Sequence, residues 1–438
     1  MADRPGAAGS LFAPLRHRRF RLLWLGMSVS LLGDGVYLVA LAWQAYTISP
    51  RPQALALLGL CATVPQLLAL LCGGVLSDRA DRRSILLVAD VVRFVAVAVV
   101  AGLVLGGQVR MWNLVVLSVV YGAGAGIAAP AFDAIVPDLV PGPDLERANA
   151  LEQFLRPTML RLAGPAVGGV LIAGLGVGWG LALNAVSFLV SAACLAAMRT
   201  HARPPSGARP GTPPSGETSE QPSPLADALA GGRYVRGQVW LWGTFASATV
   251  AYLMFIGPTE VLLPYVVREM LGGTAAEFGL ILAAGGIGGI AAAVILGSTG
   301  LPRRQLTFMY ISWTAATLAV AGYGLASAGW QLMVICALIN GLEAAGTVAW
   351  VTTKQRLIPA ALLGRVSSLD WFISIAGLPV SFALTAPVAA LVGVRTTLVG
   401  AGLIGAAATL GALFLPGMRA ADGALVTDPS TPAQHQRA

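Results

Sequence analysis

Gly74-Val75-Leu76-Ser77-Asp78-Arg79-Ala80-Asp81-Arg82-Arg83 sets a burst of alternating charge between two long apolar runs. An arginine at the bilayer centre costs at least ~2.5 to 3.5 kcal/mol on insertion scales. Several together therefore sit outside hydrocarbon, and the positive-inside rule puts them on the cytoplasmic face. From this fixed loop the chain is threaded by alternation in both directions.

The composition agrees with a membrane reading. Of 438 residues, 56% are hydrophobic and 11% charged, against about 25% charged in an ordinary globular domain. A net charge of +8 in a soluble chain would suggest nucleic acid. Here the arginines fall in short loops between apolar runs, as orientation in a bilayer requires, and nucleic acid is dropped as a partner. Cys61, Cys72, Cys194 and Cys336 lie within apolar runs without metal-like spacing and read as small buried hydrophobes. No metal site is expected. The first apolar run follows Arg16-His17-Arg18-Arg19, is too long for a signal-peptide core, and reads as an uncleaved span.

In chain order the apolar runs are Phe20 to Tyr46, Ala54 to Leu76, Ile85 to Leu105, Trp112 to Phe132, Ala150 to Leu175 and Trp179 to Met198. Each is long enough to cross ~30 Å as helix. Arg199 to Gly232, rich in Pro, Gly and Ser, cannot bury a core and reads as a disordered linker. A second set follows: Trp240 to Val266, Glu277 to Leu296, Leu306 to Ala326, Gln331 to Val351, Leu369 to Val392 and Thr397 to Leu415. The expected fold is an all-α polytopic membrane protein with 12 transmembrane helices in two pseudo-symmetric six-helix halves. Its expected parts are an N-terminal cytoplasmic tail (1–19), the first half (20–198), a cytoplasmic linker (199–238), the second half (239–417) and a disordered cytoplasmic tail (418–438).

Two patterns support that threading. Predicted outer segments carry only Arg51, Arg110, Arg268 and Arg395, while the remaining loop arginines fall inside. An internal repeat aligns Pro141-x-x-x-Leu145-x-Arg147-x-x-x-Leu151-Glu152-x-Phe154 with Pro359-x-x-x-Leu363-x-Arg365-x-x-x-Leu369-Asp370-x-Phe372. Both copies fall at equivalent depth on one face, as two parallel halves related by an axis along the membrane normal require.

Few polar residues lie at membrane depth. Asp34, between Gly33 and Gly35 in the first span, is an acid where an ionised carboxylate is costly. It reads as a group that holds and releases a proton, or as a carboxylate fixed against an arginine or a helix terminus. Glu343, halfway along the tenth span, is open to the same two readings. Arg161, at mid-depth in the fifth span, needs a counter-charge, which Asp34, Glu343 or an anionic substrate would supply. Arg156 is expected to pair with Glu152 or to snorkel. Asp90 and Arg93, three apart, are read as a stabilising pair. At the inner face Asp78, Arg82 and Asp133 read as a gating charge network, or as topogenic charges alone. Gly164, Pro165 and Gly168 share a helix face, and Gly285, Gly286, Gly288 and Gly289 offer a matching surface for close approach.

No enzyme chemistry is expected. The sole lysine, Lys354, is followed by Gln355, so no Walker loop exists. His17, His201 and His435 lie in tails or linker, and there is no Gly-x-Ser-x-Gly elbow. No cofactor is expected.

The opening loop, with Gly74, Asp78, Arg79, Arg82 and Arg83, resembles the signature between the second and third spans of major facilitator superfamily transporters, with Asp81 where that family usually has Gly. Gly164-Pro165-x-x-Gly168-Gly169 resembles the family's antiporter motif, with Leu160 at an earlier glycine position. Phe20-Arg21-Leu22-Leu23-Trp24, Leu32-Gly33-Asp34 and Gly364-Arg365-Val366-Ser367-Ser368 look like the drug:proton antiporter branch that contains macrolide-efflux proteins and the enterobactin exporter. The resemblance implies alternating access by rocking halves in the cell inner (plasma) membrane, with a small-molecule substrate moving out and protons moving in. It implies a monomer in the lipid bilayer, and Asp78 capping a helix that begins near Ser367-Ser368. Trp43, Tyr46, Tyr252 and Trp350 are read as cavity aromatics for an amphipathic or cationic drug, or as ordinary interface aromatics. Export of a siderophore or secondary metabolite, a proton-independent uniporter, and a non-transporting scaffold remain alternatives.

Overall fold

The computed structural model describes residues 12–198, 232–419 and 422–423. The fold is all-α, and among the described residues twelve helices are long and apolar enough to cross a membrane. They divide into two compact units. The first comprises Met1–Ser49, Cys61–Pro205 and Phe278–Ala283; the second comprises Pro50–Leu60, Ser206–Glu277 and Ala284–Ala438.

In the first unit the spans are Arg18–Ile48, Arg82–Leu105, Met111–Leu139, Phe154–Leu175 and Val177–Ala197, with most of the helix Pro52–Arg79. The charged loop is a joint. Asp81 sits at the N-cap of the third span, its carboxylate accepting from the Ser84 amide at 3.0 Å and the Ser84 hydroxyl at 2.6 Å. That capping is a local reason for an acid where the family has glycine. Arg83 donates to the carbonyls of Leu195 at 2.6 Å and Ala196 at 2.7 Å, placing a cation on the last turn of the sixth span.

The fifth span is entered through a separate polar helix, Gly142–Arg156, which begins before the expected Ala150 because Pro141 provides an extended N-cap. A π-helical stretch, Pro157–Ala163, joins it to Gly164–Leu175. The equivalent Pro359 caps Ala360–Val392, so both copies of the repeat start a helix in the same way. Part of the expected N-terminal tail is folded: Ala13–Arg16 forms a 3-10 turn, and Asp144, buried on the polar helix, accepts from Arg16 at 2.8 Å, His17 at 3.1 Å and Arg147 at 3.0 Å.

In the second unit the seventh span runs Val239–Met270, its helix widened to π geometry at Pro258–Leu262 and Val266–Met270. Pro258 removes a backbone donor there. The spans Gln305–Leu325, Gly329–Leu357, Phe372–Val392 and Val394–Ala412 complete this unit with most of Ala275–Thr299. Residues 199–231 of the expected linker lie outside the described residues, whereas 232–237 are helical with Val235 in the core. The expected disordered tail also begins inside the fold. Met418 is fully buried, and the Asp422 carboxylate accepts from the amides of Leu306 at 2.8 Å and Thr307 at 3.1 Å. A carboxylate at the positive end of the ninth span is favourable. Residues 424–438 lie outside the described residues.

Candidate functional site

Glycines aim Asp34. A Cβ on Gly33 would fall 2.1 Å from Ser187 Oγ on the sixth span, and one on Gly35 would fall 2.8 Å from Gly164 Cα on the fifth. Those glycines lie roughly 200° apart around the helix, so the first span is wedged by its backbone between two neighbours. Asp34, half-buried between them, is turned to the third and fourth spans, where the Tyr121 hydroxyl donates to its Oδ1. Tyr121 is itself held by stacking on Tyr37 (centroids 4.1 Å, 8°) and by an edge contact with Phe188 (5.8 Å, 70°).

The other face of that cluster carries the charge. Arg93 lies 4.5 Å over the Phe188 ring and donates through Nη2 to Asp90 Oδ1 at 2.7 Å, both residues being buried. Its stem runs against Gly124, where a Cβ would come 2.9 Å from Arg93 Cγ. Asp34, Asp90, Arg93, Ser191 and Arg156 line one cavity of about 180 Å³ within the first unit. Arg156 pairs with Glu152 at 3.3 Å, one of the two arrangements expected.

The remaining candidates are distributed differently. Arg161 is exposed on the π-helical stretch and is not among the cavity residues. The buried cation of Asp34's cavity is Arg93, read from sequence only as a local partner of Asp90. Glu343 is half-buried in the second unit, accepting from Thr347 Oγ1 at 3.3 Å, with its carbonyl facing Trp313 Nε1 at 3.4 Å. The expected Arg82–Asp133 contact is not formed: Arg82 donates to Asp138 at 2.7 Å and to the Ala134 carbonyl at 2.8 Å, while Asp133 is exposed. Gly74, Asp78 and Arg79 lie on the last turns of Pro52–Arg79, and their side-chain placement is outside the described residues.

The Gly-Pro-x-x-Gly-Gly face packs closely on the first span and on the expected eighth helix, Ala275–Thr299, but there at Gly279 and not at Gly285 or Gly288. Gly164 and Gly168 meet Gly35 and Val36 of the first span, and Pro165 and Gly169 meet Gly279, which belongs to the same compact unit. Gly285 and Gly288 instead pack on Cys336, Ala337 and Asn340 of the tenth span.

Among the aromatics, Trp43 and Tyr252 are half-buried and Tyr46 is fully buried. Trp350 is buried in edge contacts with Trp240, Phe245 and Trp313 at 6.0 to 6.4 Å. Its indole donates to Asp370 at 3.0 Å, and Lys354 bonds the same carboxylate. Trp350 therefore serves as packing and hydrogen-bond donor in this conformation. Among the described residues, no group of three or more His, Cys, Asp or Glu side chains is placed to hold a metal ion.

Comparison with known proteins places these features in context. The transmembrane secretion effector family of major facilitator proteins matches residues 9–434. The enterobactin exporter of Shigella boydii is 27% identical over 360 residues, covering 81% of each chain. Macrolide efflux protein A of Streptococcus pyogenes is 23% identical over 380 residues, covering 86% of this chain and 91% of its own. Among solved structures, a bacterial homologue of the human lysosomal transporter Spinster superposes with TM-score 0.63 at 15% identity, over 97% of this chain and 100% of the other. A bacterial homologue of the iron transporter ferroportin gives 0.62 at 19%, over 94% and 99%.

Proposed function

Because the chain belongs to the transmembrane secretion effector family of major facilitator transporters, we propose that it is a proton-coupled exporter of an amphipathic, drug-like small molecule, working by alternating access. The observation that carries this reading is Asp34, held by the Tyr121 hydroxyl at the wall of a cavity that also contains Asp90 and Arg93. A carboxylate in that position can take a proton from water in the cavity and return it, while Tyr121 keeps its second oxygen oriented. An acid in a membrane span is costly, and one kept there marks a functional site by default. The positive-inside rule, applied to the arginine-rich loops, supports both termini on the cytoplasmic side of the inner membrane. The protein acts as a monomer.

Export of a siderophore or related secondary metabolite is the second reading, supported by the similarity to an enterobactin exporter. Flux into inside-out vesicles, with erythromycin, ethidium and enterobactin offered separately, discriminates the two. Energised uptake of erythromycin or ethidium supports drug export; uptake of enterobactin alone supports the second reading. Equal accumulation in vesicles lacking the protein would refute both.

A further inference from the structure

Asp90 and Arg93 satisfy each other locally, which by itself suggests only a structural pair. Their surroundings suggest more. The guanidinium rests on the face of Phe188, whose ring also contacts Tyr121, the residue that donates to Asp34. Both carboxylates and the guanidinium border one open volume of about 180 Å³, room for several waters at ~30 Å³ each. Gly124 leaves the arginine stem without a side chain against it. Among the described residues, the titratable and charged groups around Arg93 are Asp90 on its own helix, Asp34 from the first span, Tyr121 from the fourth, with Tyr37 stacked on it, and Arg156 from the fifth. Arg156 is half exposed and engaged by Glu152. That leaves two acids to one buried cation, and in an apolar bundle a second, unpaired carboxylate charge is costly, which favours the neutral form of one acid.

We propose that Arg93 is an exchangeable counter-ion shared by Asp34 and Asp90, and that Asp90 is the second proton acceptor of the transport cycle. This rests on the reading of Asp34 as a proton carrier. In the arrangement observed, Arg93 neutralises Asp90 and the proton belongs to Asp34. When Asp34 gives that proton to cavity water, the guanidinium swings along the Phe188 face to the new carboxylate, and Asp90 takes a proton from the same water. The count of charges and protons is unchanged by the step. Asp90 lies eight residues from the start of its helix at Arg82, about 12 Å, whereas Asp34 lies about 24 Å along its own helix from Arg18. The transfer therefore moves the proton toward the end bearing the charged loop, the direction an inward proton current needs.

The test uses the purified full-length protein in lipid vesicles, with two readouts: the infrared carbonyl band of protonated carboxylic acids, and proton flux driven by an ethidium gradient. Wild type should show a band component that Asp34→Asn removes. In Asp90→Asn the guanidinium has only Asp34 to neutralise, so the same component should vanish although Asp34 is intact. It should return in Asp90→Asn/Arg93→Gln, which leaves no buried unpaired charge. In that double variant proton flux should fall at least tenfold while the band persists. A wild-type band in Asp90→Asn, or wild-type proton flux in the double variant, would overturn the exchange while leaving the role of Asp34 standing. A band indifferent to Asp34→Asn, or ethidium flux without proton flux in wild type, would instead refute the underlying proton-carrier reading.

Discussion

Replacing Gly164 by alanine tests the contact on which the position of Asp34 depends. An ideal Cβ there would lie 2.6 Å from Gly35 Cα and 2.7 Å from the Leu32 carbonyl oxygen, where ordinary contacts begin at 3.4 Å. Both obstructing atoms are backbone of the first span, so no side chain can rotate away and the helix itself must retreat. Overpacking of this kind costs about 1–3 kcal/mol, and a backbone obstruction belongs in the upper part, about 2–3 kcal/mol. That is roughly a 30- to 150-fold change in the unfolding equilibrium. Gly174 on the same helix supplies the control, since a Cβ there meets no atom within 4 Å. Gly174→Ala should be neutral, or stabilising by up to about 1 kcal/mol through the unfolded chain. Equilibrium unfolding in mixed micelles, followed by helical circular dichroism, measures both. Equal stability of the two variants would refute the wedge of the first span against Gly164.

Three further outcomes are expected. Arg83→Ala exposes the carbonyls of Leu195 and Ala196, at about 0.3–1 kcal/mol for a cation at a helix C-terminus, and should speed amide exchange in the last turn of the sixth span. Asp422→Ala removes the acceptor of the Leu306 and Thr307 amides; losing a cap worth about 1 kcal/mol should raise their exchange roughly fivefold. The His17 hydrogen bond, with Arg16 and Arg147 beside it, holds the Asp144 carboxyl below its ordinary value of 3.8. Its contribution is therefore complete above that value and lost as pH falls through the lower folded value. Limited proteolysis near Ala13–Arg16 should increase over that acidic range in wild type and lose this pH dependence in Asp144→Asn.

Much of the architecture was legible because it follows from a few large energies. Burying an arginine in hydrocarbon is so unfavourable that the loop at Asp78–Arg83 and the outer Arg51, Arg110, Arg268 and Arg395 leave little freedom in threading the spans. The repeat was legible because Pro141 and Pro359 cap their helices by the same backbone geometry. Asp34 stood out as an isolated acid, yet its partners did not. Tyr121 carries no charge and its pairing is wholly tertiary. Arg93 was hidden by a sufficient local partner in Asp90, so its approach to the cavity of Asp34 left no trace in spacing. Asp133 and Asp138 show the same limit. Both are acids near the end of the fourth span, but five residues put them roughly 140° apart around the helix, and only Asp138 meets Arg82. Met418 and Asp422 were read by composition as tail, whereas one fills the space over Gly243 and the other caps a helix.

The most direct test of proton-coupled export is an internal pH dye in proteoliposomes during ethidium, erythromycin or enterobactin efflux, comparing wild type with Asp34→Asn. Substrate movement accompanied by opposite proton movement in wild type, with the proton movement lost in Asp34→Asn, is the predicted result. Substrate movement with no proton counterflow in wild type, or counterflow unchanged in Asp34→Asn, would contradict it.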